Sequence, residues 1–209
     1  MVYFCYMKEK TTYSKSEKTR QFIIEKAAPI FNKKGYVGTS LSDIIDATGL
    51  SKGCIYGNFK NKTEIAGEAF KYNLSMSAYG FSLGTLGSKL TPLAKLHKLI
   101  VEFGEGYENT VSIGGCPIIN TASEADDTHP LLKKMAQDVT LQVEKGFIAV
   151  IEEGIAQGEI KKDTNPEKVT KIIFSLIEGS FLMSKLLDDK KYFDNSLERV
   201  LEIIKEISE

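Results

Sequence analysis

Between Thr39 and Phe59 the sequence leaves the chain few ways to fold. Thr39 or Ser40 offers a hydroxyl cap to a short helix whose inner face is Leu41, Ile44 and Ile45. Gly49 permits a left-handed turn, Leu50 supplies an apolar plug, and Ser51 caps a second short helix with Ile55 and Phe59 on one side. Two short helices joined by a glycine-containing turn of about three or four residues form a helix-turn-helix. The other side of the second helix carries small and polar residues, the kind of surface a DNA major groove admits.

Apolar residues recur at helical spacing through nearly all of the remaining chain, and no stretch alternates as a strand would. The sequence therefore predicts an all-α protein of about nine helices, with a three-helix head (residues 14–62) and a larger helical body (residues 63–209). The first helix is expected over 16–34, with Ile23, Ala27, Ile30 and Phe31 on one face and Gly35 as its stop. Pro29, inside it, should bend or locally break it. A fourth helix starts near Asn61-Lys62-Thr63-Glu64 and passes Tyr72. Residues 80–89, with Gly80, Gly84 and Gly87, read as a loop or broken helix. Further helices are expected over 92–107, 117–125 (after the Gly114-Gly115 break), 130–157, 167–187 and 196–207. The last two are apolar over too much of their circumference for a single partner.

Over the whole chain 27 Lys and Arg oppose 28 Asp and Glu, which says nothing about nucleic acid. Divided, the charge speaks. Residues 1–72 hold 12 basic against 7 acidic side chains, a net of +5, and the remainder carries −6. A basic head on an acidic body is what a chain needs when only its head meets phosphate. Cys5, Cys54 and Cys116 are odd in number and widely spaced, so they form no disulfide framework and no metal-ligand pattern. No apolar run is long enough to span a bilayer. The expectation is a cytoplasmic protein without membrane association, metal or cofactor. Met7 is a candidate start, and residues 1–13 have no assigned role.

These residues carry a resemblance. The series Ala27, Phe31, Gly35-Tyr36, Thr39-Ser40-Leu41, Ile44, Gly49-Leu50-Ser51-Lys52-Gly53, Ile55-Tyr56, Phe59 and Lys62 resembles the DNA-binding domain of the TetR (tetracycline repressor) family over residues 19–66. Beyond it the chain resembles the family only in length, helix number and apolar final helices. The resemblance implies a DNA-binding transcriptional regulator, usually a repressor. It implies a homodimer on a palindromic, double-stranded operator, and a body that binds a small-molecule effector. It also implies that the final two helices pair across the dimer, which nominates Ile172, Ile173, Leu176, Ile177, Ser180, Met183, Leu197, Leu201 and Ile204 for the interface. Two positions depart from the family's habit, Thr48 where Ala is common and Asn58 where His is common.

In the head, Thr39 and Ser40 offer hydroxyls and backbone N–H groups to phosphate, though either reads equally as a helix cap. Ser51, Lys52 and Cys54 should project toward base edges, Lys52 to guanine or to phosphate. Gly53 lets the helix come close to DNA. Tyr56 and Lys62 resemble the family's phosphate-contacting tyrosine and lysine, and Asn58 retains an amide for the same purpose. In the body, Phe81, Phe103, Tyr107, Cys116, Asn120, Phe147 and Met183 are candidate effector contacts, against the simpler reading that most are core. Cys116 stands at a helix N-terminus, where a thiol can become reactive, so a switch by oxidant or electrophile there is an alternative to a reversible ligand. As a buried thiol it would be only a small apolar side chain. Glu124, Asp126, Asp127 and His129 together suggest a metal site, but Asp126, Asp127 and Thr128 read more simply as a solvated loop that caps the helix opening at Pro130. His97 should face solvent. An enzyme with a DNA-binding head would have to pair Cys116 with His97 or His129, and neither has a recognisable catalytic context. A DNA-binding protein without any effector is the third alternative.

Overall fold

The computed structural model describes residues 14–209, and of 81–83 the backbone only. Residues 1–13 and the Phe81 side chain thus lie outside the described residues. Among the described residues the chain forms eleven helices: α1 (Lys15–Gly38), α2 (Leu41–Thr48), α3 (Lys52–Asn58), α4 (Lys62–Met76), α5 (Ala78–Leu86), α6 (Pro92–Glu105), α7 (Tyr107–Ser112), α8 (Pro117–Ala125), α9 (Pro130–Gln157), α10 (Pro166–Leu186) and α11 (Lys191–Ile207). The only β pairing described is a single bridge between Ile160 and Ser208, which ties the C-terminus down. The all-α architecture is as expected. None of the described helices is long and apolar enough to cross a membrane.

Two helices exceed the expected nine. The stretch over 80–89 is mostly helical after all, as α5, because packing against α6 outweighs the weak helix propensity of its glycines. Ala78 lies so close to Gly106 that a Cβ there would meet its Cα at 2.6 Å. Beyond Gly106 the chain turns into α7, which no side-chain cap announces. The final helix starts at Lys191, five residues earlier than expected, because Phe193 is drawn into the core. It is completely buried, with its ring centroid 4.6 Å from those of both Tyr107 and Phe181. Burying such a ring is worth about 2–3 kcal/mol, enough to extend a helix that lacks a side-chain cap. In α1 no break falls at Pro29; the one non-helical residue is Gly35. At φ 73° and ψ 178°, Gly35 stops the first run and lets a last turn follow to Gly38.

The head core gathers Ile23, Ala27, Ile44, Ile55 and Phe59 around the inner side of α1. α4 packs along α1 and also meets α5 and α8, so it belongs to both halves of the molecule. In the body, α10 lies between α9 and α11. That position corrects part of the expected dimer face. Ile173, Ile177, Ser180 and Ile204 are buried within the protomer, because these sides of α10 and α11 close the body's own core. Met183, Leu197 and Leu201 are half-buried, and Leu197 faces Gly104 of α6. Ile172 is exposed and Leu176 half-buried, in line with the exposed Gly179, Leu182 and Leu186.

Candidate nucleic-acid interface

The helix-turn-helix is built from local chemistry. Ser40 caps α2 with a reciprocal box: its Oγ accepts from the Asp43 N–H at 3.1 Å, and the Asp43 carboxylate accepts from the Ser40 N–H at 2.7 Å. Lys34 reaches the same carboxylate at 2.6 Å, and these bonds hold the Asp43 pKa well below the usual carboxylate range. Gly49 closes α2 in the left-handed region at φ 68°, its N–H donating to Ile45. Thr48 does more than replace an alanine. Its hydroxyl donates to the Ile44 carbonyl at 2.7 Å and accepts from the Leu50 N–H at 3.3 Å, fastening the turn. Ser51 then caps α3 by accepting from the Cys54 N–H.

Ile55 and Phe59 are buried, which turns the other side of α3 outward. Ser51, Lys52, Gly53 and Tyr56 are exposed, together with Gly57, and Cys54 is half-buried beside them. The N-cap Ser40 is exposed as well. Thr39 differs from expectation. It is completely buried, and its hydroxyl donates to the Gly35 carbonyl, so that hydroxyl closes the α1 turn rather than facing a phosphate. Lys62 also has work inside the head: its ammonium donates to the Thr39 carbonyl at 2.7 Å and lies 4.3 Å from the Tyr36 ring centroid. Asn58 donates one amide hydrogen to the Cys54 carbonyl and accepts from Ser16, which leaves it half-buried.

Arg20 is a residue that sequence reasoning missed. Its guanidinium donates to the Asn58 carbonyl at 2.6 Å, pairs with Glu64 at 2.8 Å and stacks 4.1 Å from the Phe59 ring centroid. It thereby fixes the end of α3 to α1 and α4. No local pattern marks it, since every partner is distant in sequence.

A second missed device joins head to body. The break at Gly35 frees two backbone donors, and Glu124 of α8 accepts both, from Tyr36 N–H and from Val37 N–H at 2.7 Å. Asn32 of α1 donates to the carbonyls of Ile113 and Gly115, and Asn120 of α8 donates back to the Asn32 carbonyl at 3.0 Å. Replacing Glu124 by Ala is expected to lower stability by about 1–3 kcal/mol, since two amides lose their acceptor. Glu124→Gln, which keeps one acceptor oxygen, should recover part of it. Urea unfolding measures both, and an unchanged midpoint in Glu124→Ala would count against this coupling.

Among the described residues the candidate effector positions divide between separate spaces. Phe103 and Phe147 share a small cavity in the body, whereas Cys116 and Asn120 line a more open hollow of about 370 Å³ with Phe181, Leu182 and Lys185. Tyr107 is taken up by Phe181 and Phe193, and Met183 lines neither space. Cys116 sits at the N-cap of α8 as expected, but it is 3% exposed. Burial pushes its thiol up to about 12, outweighing the backbone N–H groups of Ile119 and Ile118. It is protonated at neutral pH, the opposite of a reactive thiolate. His129, rather than the loop before it, caps α9: its Nδ1 accepts from the Leu132 N–H while the ring packs edge-on against Tyr36. His97 is exposed, and no cluster of metal-ligating side chains occurs among the described residues.

Comparisons with known proteins agree with this geometry. A family profile described as bacterial regulatory proteins, tetR family, matches residues 23–69, and one described as the tetracyclin repressor-like C-terminal domain matches residues 92–200. A TetR-family transcriptional regulator from Cytophaga hutchinsonii, of known crystal structure, is 37% identical and superposes with a TM-score of 0.84 over 95% of this chain and 98% of its own. A TetR regulator from Chloroflexus aurantiacus is 29% identical, with a TM-score of 0.85 over 93% and 98% of the two chains. The HTH-type transcriptional repressor DhaR of a Mycobacterium species is 24% identical over 88% of this chain and 91% of its own. With its helix-turn-helix head and helical body, this chain belongs to the TetR family of DNA-binding transcriptional regulators.

Proposed function

We propose that the protein is a homodimeric repressor whose two heads occupy successive major grooves of a palindromic operator, and that a small molecule bound in the body releases it. The observation that carries this is the outer face of α3, where Lys52, Gly53, Tyr56 and Gly57 are exposed above the buried Ile55 and Phe59. Outside its own helical turn, no described residue lies within 4 Å of a Cβ built at Gly57, so the helix backbone itself is open to close approach there. Lys52 addresses a base edge, and Ser51 and Cys54 flank it. Tyr56, the Ser40 cap and the remaining N–H groups of Lys62 and Asn58 address phosphates. Repression is supported by the name of the DhaR relative. Dimerisation is supported by the apolar stripe along α10, where Ile172, Leu182 and Leu186 are exposed among the described residues.

A body ligand that binds best when the heads are spaced for no operator shifts the population away from DNA. The protein works by binding, as a cytoplasmic regulator rather than as an enzyme. A Cys116 nucleophile has no support, since the thiol is buried and protonated and the two histidines are engaged elsewhere or lie on the outside. The test is fluorescence anisotropy with labelled DNA from the region upstream of the gene, across a salt series. Lys52→Ala is expected to weaken operator binding by about 1–3 kcal/mol and to relax discrimination at one base pair. Tyr56→Phe should cost about 1 kcal/mol on every sequence alike. Full operator affinity in Lys52→Ala would remove α3 from its assigned role.

A further inference from the structure

The break between α7 and α8 carries two glycines in the positive-φ region, Gly114 at 110° and Gly115 at 100°. A lysine lies across each of them. A Cβ on Gly114 would stand 2.6 Å from Cγ of Lys33 on α1. One on Gly115 would stand 3.1 Å from Cδ and 3.4 Å from Nζ of Lys185 on α10, and 3.7 Å from Nδ2 of Asn120 on α8. The Lys185 ammonium folds back to donate to the Gly114 carbonyl, the oxygen that the Asn120 amide also reaches, at 3.0 Å. That bond occupies one of its three donors and leaves two. Among the described residues neither Lys33 nor Lys185 has a carboxylate paired with it.

Gly115, Asn120 and Lys185 also form one part of the wall of the hollow of about 370 Å³. The rest of that wall is apolar, from Cys116, Ile119, Phe181, Leu182 and Leu186. A lysine that served only solubility would run its ammonium out into water. Lys185 instead lies against the backbone, with its charge held beside an apolar space of small-molecule size.

We propose that this hollow is the effector site and that it takes a monocarboxylate carried on an apolar body. The inference rests on the reading of the body as an effector domain and gives that effector a place and a chemistry. The carboxylate accepts from the two remaining N–H groups of Lys185, in charge-assisted hydrogen bonds, while the apolar body covers Ile119, Phe181 and Leu182. A neutral ligand of the same shape makes the apolar contacts but leaves the ammonium without a counter-charge. The position also suits a switch. Asn120, in the wall, donates to the Asn32 carbonyl of α1, and Glu124, one turn further along α8, holds the Tyr36 and Val37 N–H groups. On the other side, Leu182 and Leu186 belong both to the hollow and to the exposed row on α10. An occupant therefore touches the helix that fastens the head and borders the face proposed for the partner subunit.

The experiment compares three probes of one shape on the intact protein by calorimetry at pH 7: 4-phenylbutyrate, 4-phenylbutanol and 4-phenylbutylamine. The expected result is binding of the acid at least tenfold tighter than that of either other probe. Lys185→Met, which keeps an unbranched stem over Gly115, should weaken the acid at least tenfold and leave the alcohol unchanged. Lys185→Arg, which keeps the charge, should retain the preference for the acid. Equal affinity for the alcohol, an acid preference that survives Lys185→Met, or no binding of the acid overturns the inference. The probe comparison needs no variant, so a folding defect in Lys185→Met does not blunt it. The wider effector reading fails differently: the acid binds as described, yet the operator complex measured beside it is unaffected.

Discussion

Replacing Leu182 by Glu is expected to convert the protein into a monomer and to lower operator affinity by about 10²–10⁴-fold, the scale lost when two linked binding events become independent. The reason lies in the outer side of α10. Ile172, Leu176, Gly179, Leu182 and Leu186 follow one another at helical spacing, and Ile172, Leu182 and Leu186 are 41%, 49% and 68% exposed. A protomer that leaves such a stripe uncovered has reserved it for a partner. Gly179 has open space above it, so a second helix can approach the backbone there. A carboxylate at 182 would be buried without a counter-charge in an interface related by a two-fold axis, and it would be so twice. Light scattering coupled to size exclusion reads the mass, and anisotropy reads the DNA. A Leu182→Glu protein that stays dimeric at micromolar concentration would place the interface elsewhere.

Glu178 gives the second large effect, in stability against pH. Its pKa is about 8 in the folded protein, from burial, against 4.5 in the open chain. Between these values the folded state holds a proton that the unfolded state has released. Stability is therefore greatest below about pH 4.5 as far as this group is concerned, and it falls as pH rises through about 8. At about 1.4 kcal/mol per unit the loss is on the order of a few kcal/mol across the window. Carboxylates such as Asp43 and Glu64, whose pKa values are lowered, act in the opposite sense and at more acid pH. The difference between wild type and Glu178→Gln isolates the group. The variant should gain relative stability steadily from about pH 5 to pH 8 and hold it above. Parallel thermal-unfolding curves for the two proteins over that range would show that Glu178 is not buried as a neutral acid.

Both effects depend on residues that the sequence did not single out, whereas most of the head did not need a structure. Gly49-Leu50-Ser51 announces its turn because each step is local: a left-handed glycine, an apolar plug and a serine reaching three residues ahead. The caps at Ser40 and Asn61, and the helices opening at Pro92, Pro117 and Pro130, are legible for the same reason. Thr39 is harder to read, because a capping hydroxyl and one turned inward look alike in a string. Only the kink at Gly35 decides between them.

In the body the deciding partners are far apart along the chain. Tyr79 and Glu178 are separated by 99 residues, and Tyr36 and Glu124 by 88. Periodicity marks an apolar face but not which neighbour covers it. Ile173 and Ile172, adjacent in sequence and alike in chemistry, therefore ended one in the protomer core and one on its surface. By itself the sequence determined the all-helical class, the helix-turn-helix and its outward face, since these follow from contacts within a few residues. Tertiary structure alone decided the extra helices, the Glu124 bridge, the protonation of Cys116 and Glu178, and the stripe left bare on α10. Each of these depends on what distant segments bury, and burial is a property of the packed chain.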